Sequence, residues 1–311
     1  RNTKDMLVAG ATLPATLGAS VPKSNSADMK TIGWELSLGW NDRLENGFSY
    51  WVKGVLSDYQ ATITKYAGND AGFYSQSDGD GKYYVGQKIG EIWGYHSNGL
   101  FQSDDEAATI DQSELYAGKW GAGDVKYEDL DGDGKITKGE ETIYNPGDKS
   151  IIGNKTPRYQ FGITVGFDYK NFDFEMFWQG TGKRDYMLSG AQFWGFTSQW
   201  DVPYTPALDY WTETNTDAYF PRPGWQNGGN RVTSDRYLQS AAYGRLKNLT
   251  VGYTIPKNLT TKWGISRLRL YVTGENLLTI TPLNDAFDPE TLGGMTYPIN
   301  RKVAIGLNLT L

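Results

Sequence analysis

The chain contains no cysteine and a single histidine, His96, among its 311 residues. The first absence excludes disulfides and thiolate metal centres. The second is joined by the lack of any G-x-S-x-G or H-E-x-x-H stretch, so no nucleophile–base or zinc-hydrolase motif is present. Carboxylate pairs can be drawn at will among 36 Asp and Glu residues, and nothing singles out a glycosidase pair. The chain therefore reads as a non-enzyme. Positive charge is also short: 30 Lys and Arg leave a net charge of −6 and a pI near 5.0. That excludes a nucleic-acid partner, which needs a basic face. No run approaches the ~18 to 20 apolar residues of a membrane helix. Apolar content is only 39%, with a mean hydropathy of −0.54, low for one large internal core. A transmembrane β-barrel survives these exclusions, because its strands alternate apolar and polar residues and average out hydrophilic. The first residue is Arg1 rather than Met, with no signal peptide, so position 1 is not expected to begin the translated protein.

What is abundant points to β-structure. Gly (38), Tyr (21) and Trp (11) suit turns and aromatic surfaces. In PRYQFGITVGFDYKNFDFEMFWQG, residues 157–180, Tyr159, Phe161, Ile163, Val165, Phe167 and Tyr169 take every second position. After Lys170 and Asn171 the alternation resumes with Phe172, Phe174, Met176 and Trp178. Strands are expected over 29–40, 47–65, 157–169, 172–181, 240–255, 266–279 and 301–311. Their connections alternate strictly between short (NDRLENG, KN, PKNLTTKWGI) and long, the long ones being residues 66–156, 182–239 and 280–300. Loops beyond ~12 to 15 residues are uncommon in soluble domains, whereas short turns alternating with long extracellular loops are the plan of an outer-membrane barrel. The apolar row would then face lipid and the polar row a hydrated lumen. Trp34, Trp40, Tyr169, Phe172, Trp178 and Tyr253 would form the interfacial aromatic girdle. Alternation alone also fits a β-sandwich, here a secreted, calcium-dependent carbohydrate-binding one. Seven strands, or eight with residues 1–8, leave open edges that lipid cannot satisfy. The expectation is thus an all-β, transmembrane antiparallel barrel, present as the C-terminal portion of a larger wall.

Two features carry site chemistry. DLDGDGKITKGE matches the calcium-loop pattern D-x-D-x-D-G-x5-E through Asp129, Asp131, Asp133, Gly134 and Glu140. Calcium takes 6 to 8 oxygens, here the Asp carboxylates, the Lys135 carbonyl, Thr137 through water and a bidentate Glu140. No amphipathic helix precedes the loop, so the site is read as a structural Ca2+ that stiffens a long connection. The second feature is an aromatic group in the long loops: Phe193, Trp194, Phe196, Trp200, Tyr204, Tyr210, Trp211, Tyr219 and Trp225. These are candidates for ligand or partner contact, or for packing loop against loop.

The run GRLKNLTVGYTIPKNLTTKWGISRLRLYVTGENLLTIT, residues 244–281, resembles the C-terminal barrel region of the SusC/RagA family of TonB-dependent outer-membrane transporters. NTKDML (2–7), GWELSL (33–38), VGQKIGEIWGY (85–95), DLDGDGKIT (129–137), IIGNKTPRYQFGITVGFDYKNFDFEMFWQG (151–180) and DYWTETNTDAYFPRP (209–223) extend the likeness along the chain. The resemblance implies a barrel of about 22 strands with a plugged lumen, of which this chain would be the C-terminal third. It implies import of oligosaccharides or peptides, driven by TonB, with a SusD-type surface lipoprotein closing over the mouth. The plug domain and TonB-contacting segment would lie before residue 1, and the long loops outside the cell.

Overall fold

The computed structural model describes residues 1–9, 22–74, 83–292, 297 and 299–311. Eight strands form one antiparallel sheet: β1 (Asn2–Ala9), β2 (Lys23–Arg43), β3 (Ser49–Tyr66), β4 (Arg158–Tyr169), β5 (Phe172–Lys183), β6 (Tyr243–Thr254), β7 (Arg267–Ile280) and β8 (Lys302–Thr310). Each pairs with its neighbour in the chain, so the sheet is a simple meander with β1 and β8 at its edges. The stretch at residues 1–8 does supply an eighth strand.

The register explains the alternation. Trp40, Val52, Val165, Met176, Leu249, Gly274 and Val303 lie opposite one another across seven strands. One residue along, Lys53, Thr164, Phe177, Asn248, Glu275 and Lys302 form the corresponding row on the other face. Because side chains alternate with period two, a whole face is apolar and its reverse is mainly polar. The irregularity at Leu246/Asn248, seen against both β5 and β7, keeps the phase on either side of it. On the polar face the Trp51 ring crosses Gly166, where a Cβ would come within 2.1 Å of it, and the Tyr271 ring crosses Gly306. Glycine there lets a neighbouring ring cover the backbone.

Among the described residues nothing packs on the apolar face. Ile305 is 83% exposed, and Ile32, Leu38, Trp40 and Val303 stand out similarly. Among the described residues the other sheets are two-stranded pieces of the connections, so no second layer exists for a β-sandwich. In β2 the exposed apolar row runs from Ile32 to Trp40, matching the ~9 to 11 residues that cross a bilayer. Residues 23–31 of the same strand are mostly polar and carry the ladder further. Aromatics edge this band. Trp40, Tyr50, Tyr169, Phe172 and Tyr253 lie toward the short turns, with Trp40 Nε1 donating to Tyr50 Oη at 3.3 Å and the Phe172 and Tyr253 rings 4.7 Å apart. Trp34 and Trp178 lie six residues nearer the other end, about 20 Å along at ~3.3 Å per residue.

The short turns close tightly. Leu44 N–H donates to the Phe48 carbonyl at 2.8 Å around Gly47, whose φ of +84° is one that glycine adopts without a Cβ penalty. Between β4 and β5, Lys170 takes the left-handed position. The link from β6 to β7 contains an α-helical turn, Lys257–Thr260, continued by a 3-10 turn, Thr261–Trp263. At the opposite end residues 67–74, 83–157, 184–242, 281–292, 297 and 299–301 gather into one mass with its own core of Tyr95, Tyr127, Ile136, Phe193, Trp194 and Tyr237 among others.

Candidate functional site

The Asp-rich loop is folded around its own backbone. Asp129 accepts from Gly132 N–H at 2.7 Å and from Gly134 N–H at 2.8 Å. Asp131 accepts from Asp133 N–H at 3.1 Å, and Asp133 from Lys135 N–H at 2.8 Å. These bonds tie each carboxylate to the loop's own amides. The group that converges, however, is Asp129, Asp131 and Asp148, whose ligand atoms lie within 4.8 Å of one another. Asp148 is fully buried and braces the loop by accepting from Leu130 N–H and Thr137 N–H, both at 2.7 Å. Asp133, Lys135 and Glu140 are exposed and Thr137 is half-buried.

The reason Glu140 stays outside this group is local. In the calcium-loop pattern a following helix swings the twelfth residue back, but here Gly139 (φ +56°) and Glu141 (φ +55°) turn the chain away. The segment 145–148 then returns alongside, passing so close that a Cβ on Gly139 would come within 2.5 Å of Gly147 N. The turn residues Asn145-Pro146-Gly147 are the one signal for this return; no fixed spacing names Asp148. Electrostatics follow the geometry. The Gly134 amide, chief among its amide donors, holds the Asp129 carboxyl below the usual carboxylate range. At Asp131 the Asp133 amide favours the charge, yet partial desolvation and the carboxylates of Asp133, Asp148 and Asp129 push its pKa up. Such a donor set of crowded hard oxygens suits a calcium-type cation rather than a soft metal.

The aromatic group separates into two populations. Phe193 and Trp194 are core residues, their rings 5.1 Å apart and edge-on, with Phe220 and Tyr237 around them. Tyr210, Trp211 and Tyr219 pack against that core, and Phe196 is half-buried. Only Trp200 (83% exposed), Tyr204 and Trp225 present large open faces. The sequence signal for this division was weak: all nine sit in similar polar surroundings.

Two further devices tie the loops. His96 Nδ1 is 2.7 Å from Asp235 Oδ2 and its Nε2 is 2.7 Å from Ser150 Oγ. The order matches that of a hydrolytic relay; here it clamps three separate loop segments. The connection after β7 folds back over the polar face of the sheet as a strap. Arg245, 3% exposed in the polar row of β6, donates to Asp288 at 2.5 Å and lies 3.2 Å from Glu290. Lys247 adds a second pair to Glu290 at 2.9 Å, while Leu283 and Leu292 of the strap enter the loop core.

No family model matches the chain. Sequence relatives do. The chain is 29% identical over 327 residues to TonB-dependent receptor P3 of Formosa agariphila, an alignment covering 96% of this chain and 30% of that protein. It is 24% identical over 296 residues to the TonB-dependent receptor SusC of Bacteroides thetaiotaomicron, covering 92% and 27%. Among solved structures, that of the RagAB peptide importer in its 'closed-closed' state superposes with a TM-score of 0.72 at 20% identity, over 99% of this chain and 32% of that one. The chain thus spans about a third of the length of the proteins it matches. The structural likeness fixes the fold: the sheet is a section of a transmembrane antiparallel barrel wall.

Proposed function

We propose that this chain, similar to TonB-dependent receptors along nearly its whole length, is part of the barrel of a SusC/RagA-family receptor and serves in nutrient import across a bacterial outer membrane. The observation that carries this reading is the uncovered apolar face crossing the whole sheet, opposite a polar face over which the loop strap is folded. A wall of this kind catalyses no reaction; it bounds a passage. The long loops lie on the cell exterior, where they capture oligosaccharide or peptide cargo together with a SusD-type lipoprotein. A plug domain fills the lumen and is displaced through TonB. Accumulation of labelled oligosaccharide and peptide mixtures is to be compared in cells with and without the protein, with and without a protonophore. Loss of accumulation in both the deletion and the protonophore-treated cells is the expected result. Recovery of the protein among soluble proteins, or uptake indifferent to the proton gradient, refutes it.

The Asp-rich loop binds Ca2+ as a structural ion in this reading, supported by the convergence of Asp129, Asp131 and Asp148. Asp131→Ala and Asp148→Ala are expected to abolish the calcium heat in titration calorimetry on the detergent-purified protein, and Glu140→Ala to leave it. Absence of any heat in the parent protein disproves calcium binding.

A further inference from the structure

Beneath the loop mass, two neighbouring hollows open along the strap end of the polar face. One, of about 310 Å3, is lined by Tyr59, Lys155, Arg158 and Arg184 among others. The other, of about 490 Å3, lies against Gln160, Gln179, Thr181, Tyr243 and Glu290 of the strap. Arg184 and Pro157 belong to both, so the two form one trough of the size typical for small-ligand sites. Ser57, Tyr59, Gln160, Gln179 and Thr181 come from the polar rows of β3, β4 and β5, Tyr243 from the start of β6, and Lys155 and Arg184 from the connections beside them.

The charges around this trough do not cancel. Asp58 is taken by Arg158 in a two-pronged pair, and Glu290 is taken by Arg245 and Lys247. That leaves Lys155 and Arg184, neither of which has a carboxylate within 4.0 Å among the described residues; the neighbouring Asp185 accepts instead from Asn154 N–H at 2.9 Å. Arg184 is anchored through Nε to the Lys155 carbonyl at 3.2 Å, which fixes its plane and leaves its terminal NH2 groups without a protein acceptor among the described residues. In a chain with a net charge of −6, two cations without a direct carboxylate partner in one hollow are a feature that an acidic ligand can complete.

We infer that this trough recognises the acidic groups of an anionic oligosaccharide passing along the lumen wall. The inference rests on the importer reading above and names its cargo class. Arg184 and Lys155 meet the carboxylate or sulfate, Arg geometry favouring two parallel hydrogen bonds to such a group. Gln160, Gln179 and Thr181 offer donors and acceptors for ring hydroxyls, and the half-open Tyr59 and Tyr243 rings offer flat apolar faces. A peptide would find amides here but neither an unpaired strand edge nor a deep apolar side-chain pocket.

The test uses the transporter purified from outer membranes in detergent, as parent protein, as Lys155→Gln/Arg184→Gln, and as the control Lys262→Gln at the short-turn end. Probes are tetragalacturonate, a sulfated galactotetraose, neutral maltotetraose and tetra-aspartate. At least one anionic sugar is expected to bind. Its affinity should fall on the order of tenfold in the double variant, fall again as salt is raised, and stay unchanged in Lys262→Gln. Carboxylate and sulfate preference is read from which of the two acidic sugars binds. Unchanged heat-modifiable mobility of the barrel on gels certifies folding of the variants. Failure of both acidic sugars to bind, equal or tighter binding of maltotetraose or tetra-aspartate, or indifference to the double substitution overturns the inference. If proton-gradient-dependent uptake persists without regard to cargo charge, only this inference falls; if no such uptake exists for any cargo, the importer reading falls as well.

Discussion

Phe193 and Ile305 are both large apolar side chains, yet one is fully buried and the other 83% exposed. They mark two regions built on opposite rules. In the loop mass, apolar side chains converge on one another, as in any water-soluble domain, and the driving force is removal of apolar area from water. In the sheet they diverge, each strand sending its row outward to a face that no other described residue covers. Hydrocarbon is the environment that makes the second arrangement stable, since there the row costs nothing and the backbone must be fully paired. The comparison teaches that burial means different things in the two halves. A substitution is therefore a probe of which solvent each half meets.

The largest effect is expected in the loop core. Phe193→Ala removes a ring packed edge-on against Trp194, Phe220 and Tyr219 and should cost about 3–5 kcal/mol. Hydrogen exchange should accelerate throughout residues 184–242 while the sheet's ladders keep their protection. Acceleration spread equally over the sheet would merge the two regions into one cooperative unit and break the comparison. Next comes the sheet itself. Ile163→Arg places a charge in the apolar row, opposite Trp178, and should cost up to about 4 kcal/mol in the membrane-inserted barrel, measured by urea unfolding in lipid vesicles. Thr164→Arg, one residue on and facing the lumen, should cost little. Equal costs at the two positions would place water, not lipid, on the apolar face.

The sheet was legible in the sequence because its rule is local. Period-two alternation in 157–180 or 301–311 needs no distant partner to be read, and a slip of one residue would invert the face. Strand ends were less legible: β2 begins at Lys23, well before the first apolar residue of its band, because its polar stretch pairs first with β1 and from Ala27 on also with β3, without facing lipid. The sites were read only in part. Asp129 and Asp131 follow a spaced motif, but Asp148 arrives by a chain reversal whose length no pattern encodes. Lys155 and Arg184 are 29 positions apart, and only the register of β4 on β5 brings their neighbourhoods together. Trp194 and Trp200 look alike in sequence, and tertiary packing alone sends one into the core and leaves the other at the surface.

A smaller effect sharpens the comparison by pH. The loop core contains hydroxyls as well as hydrocarbon: Tyr127 is fully buried and donates to the Gly229 carbonyl at 2.7 Å, with Tyr95 and Tyr237 beside it in the core. Burial pushes the pKa of all three above the ordinary tyrosine value, because an ionised phenol cannot be solvated there. A raised folded-state value means that the stabilising, protonated form is fully retained below the unfolded pKa of about 10. Above it the unfolded chain releases protons that the folded core keeps. Stability therefore falls as pH rises, by about 1.4 kcal/mol per neutral-held tyrosine at one unit above that value. Tyrosinate absorbance should lag behind the number of tyrosines between pH 10 and 11 and then appear together with loss of near-ultraviolet circular dichroism. Tyr127→Phe should move that transition to higher pH while leaving strand content unchanged. A transition that Tyr127→Phe leaves in place, or one in which strand signal is lost first, would assign the alkaline weakness to the sheet and reverse the ranking of the two regions.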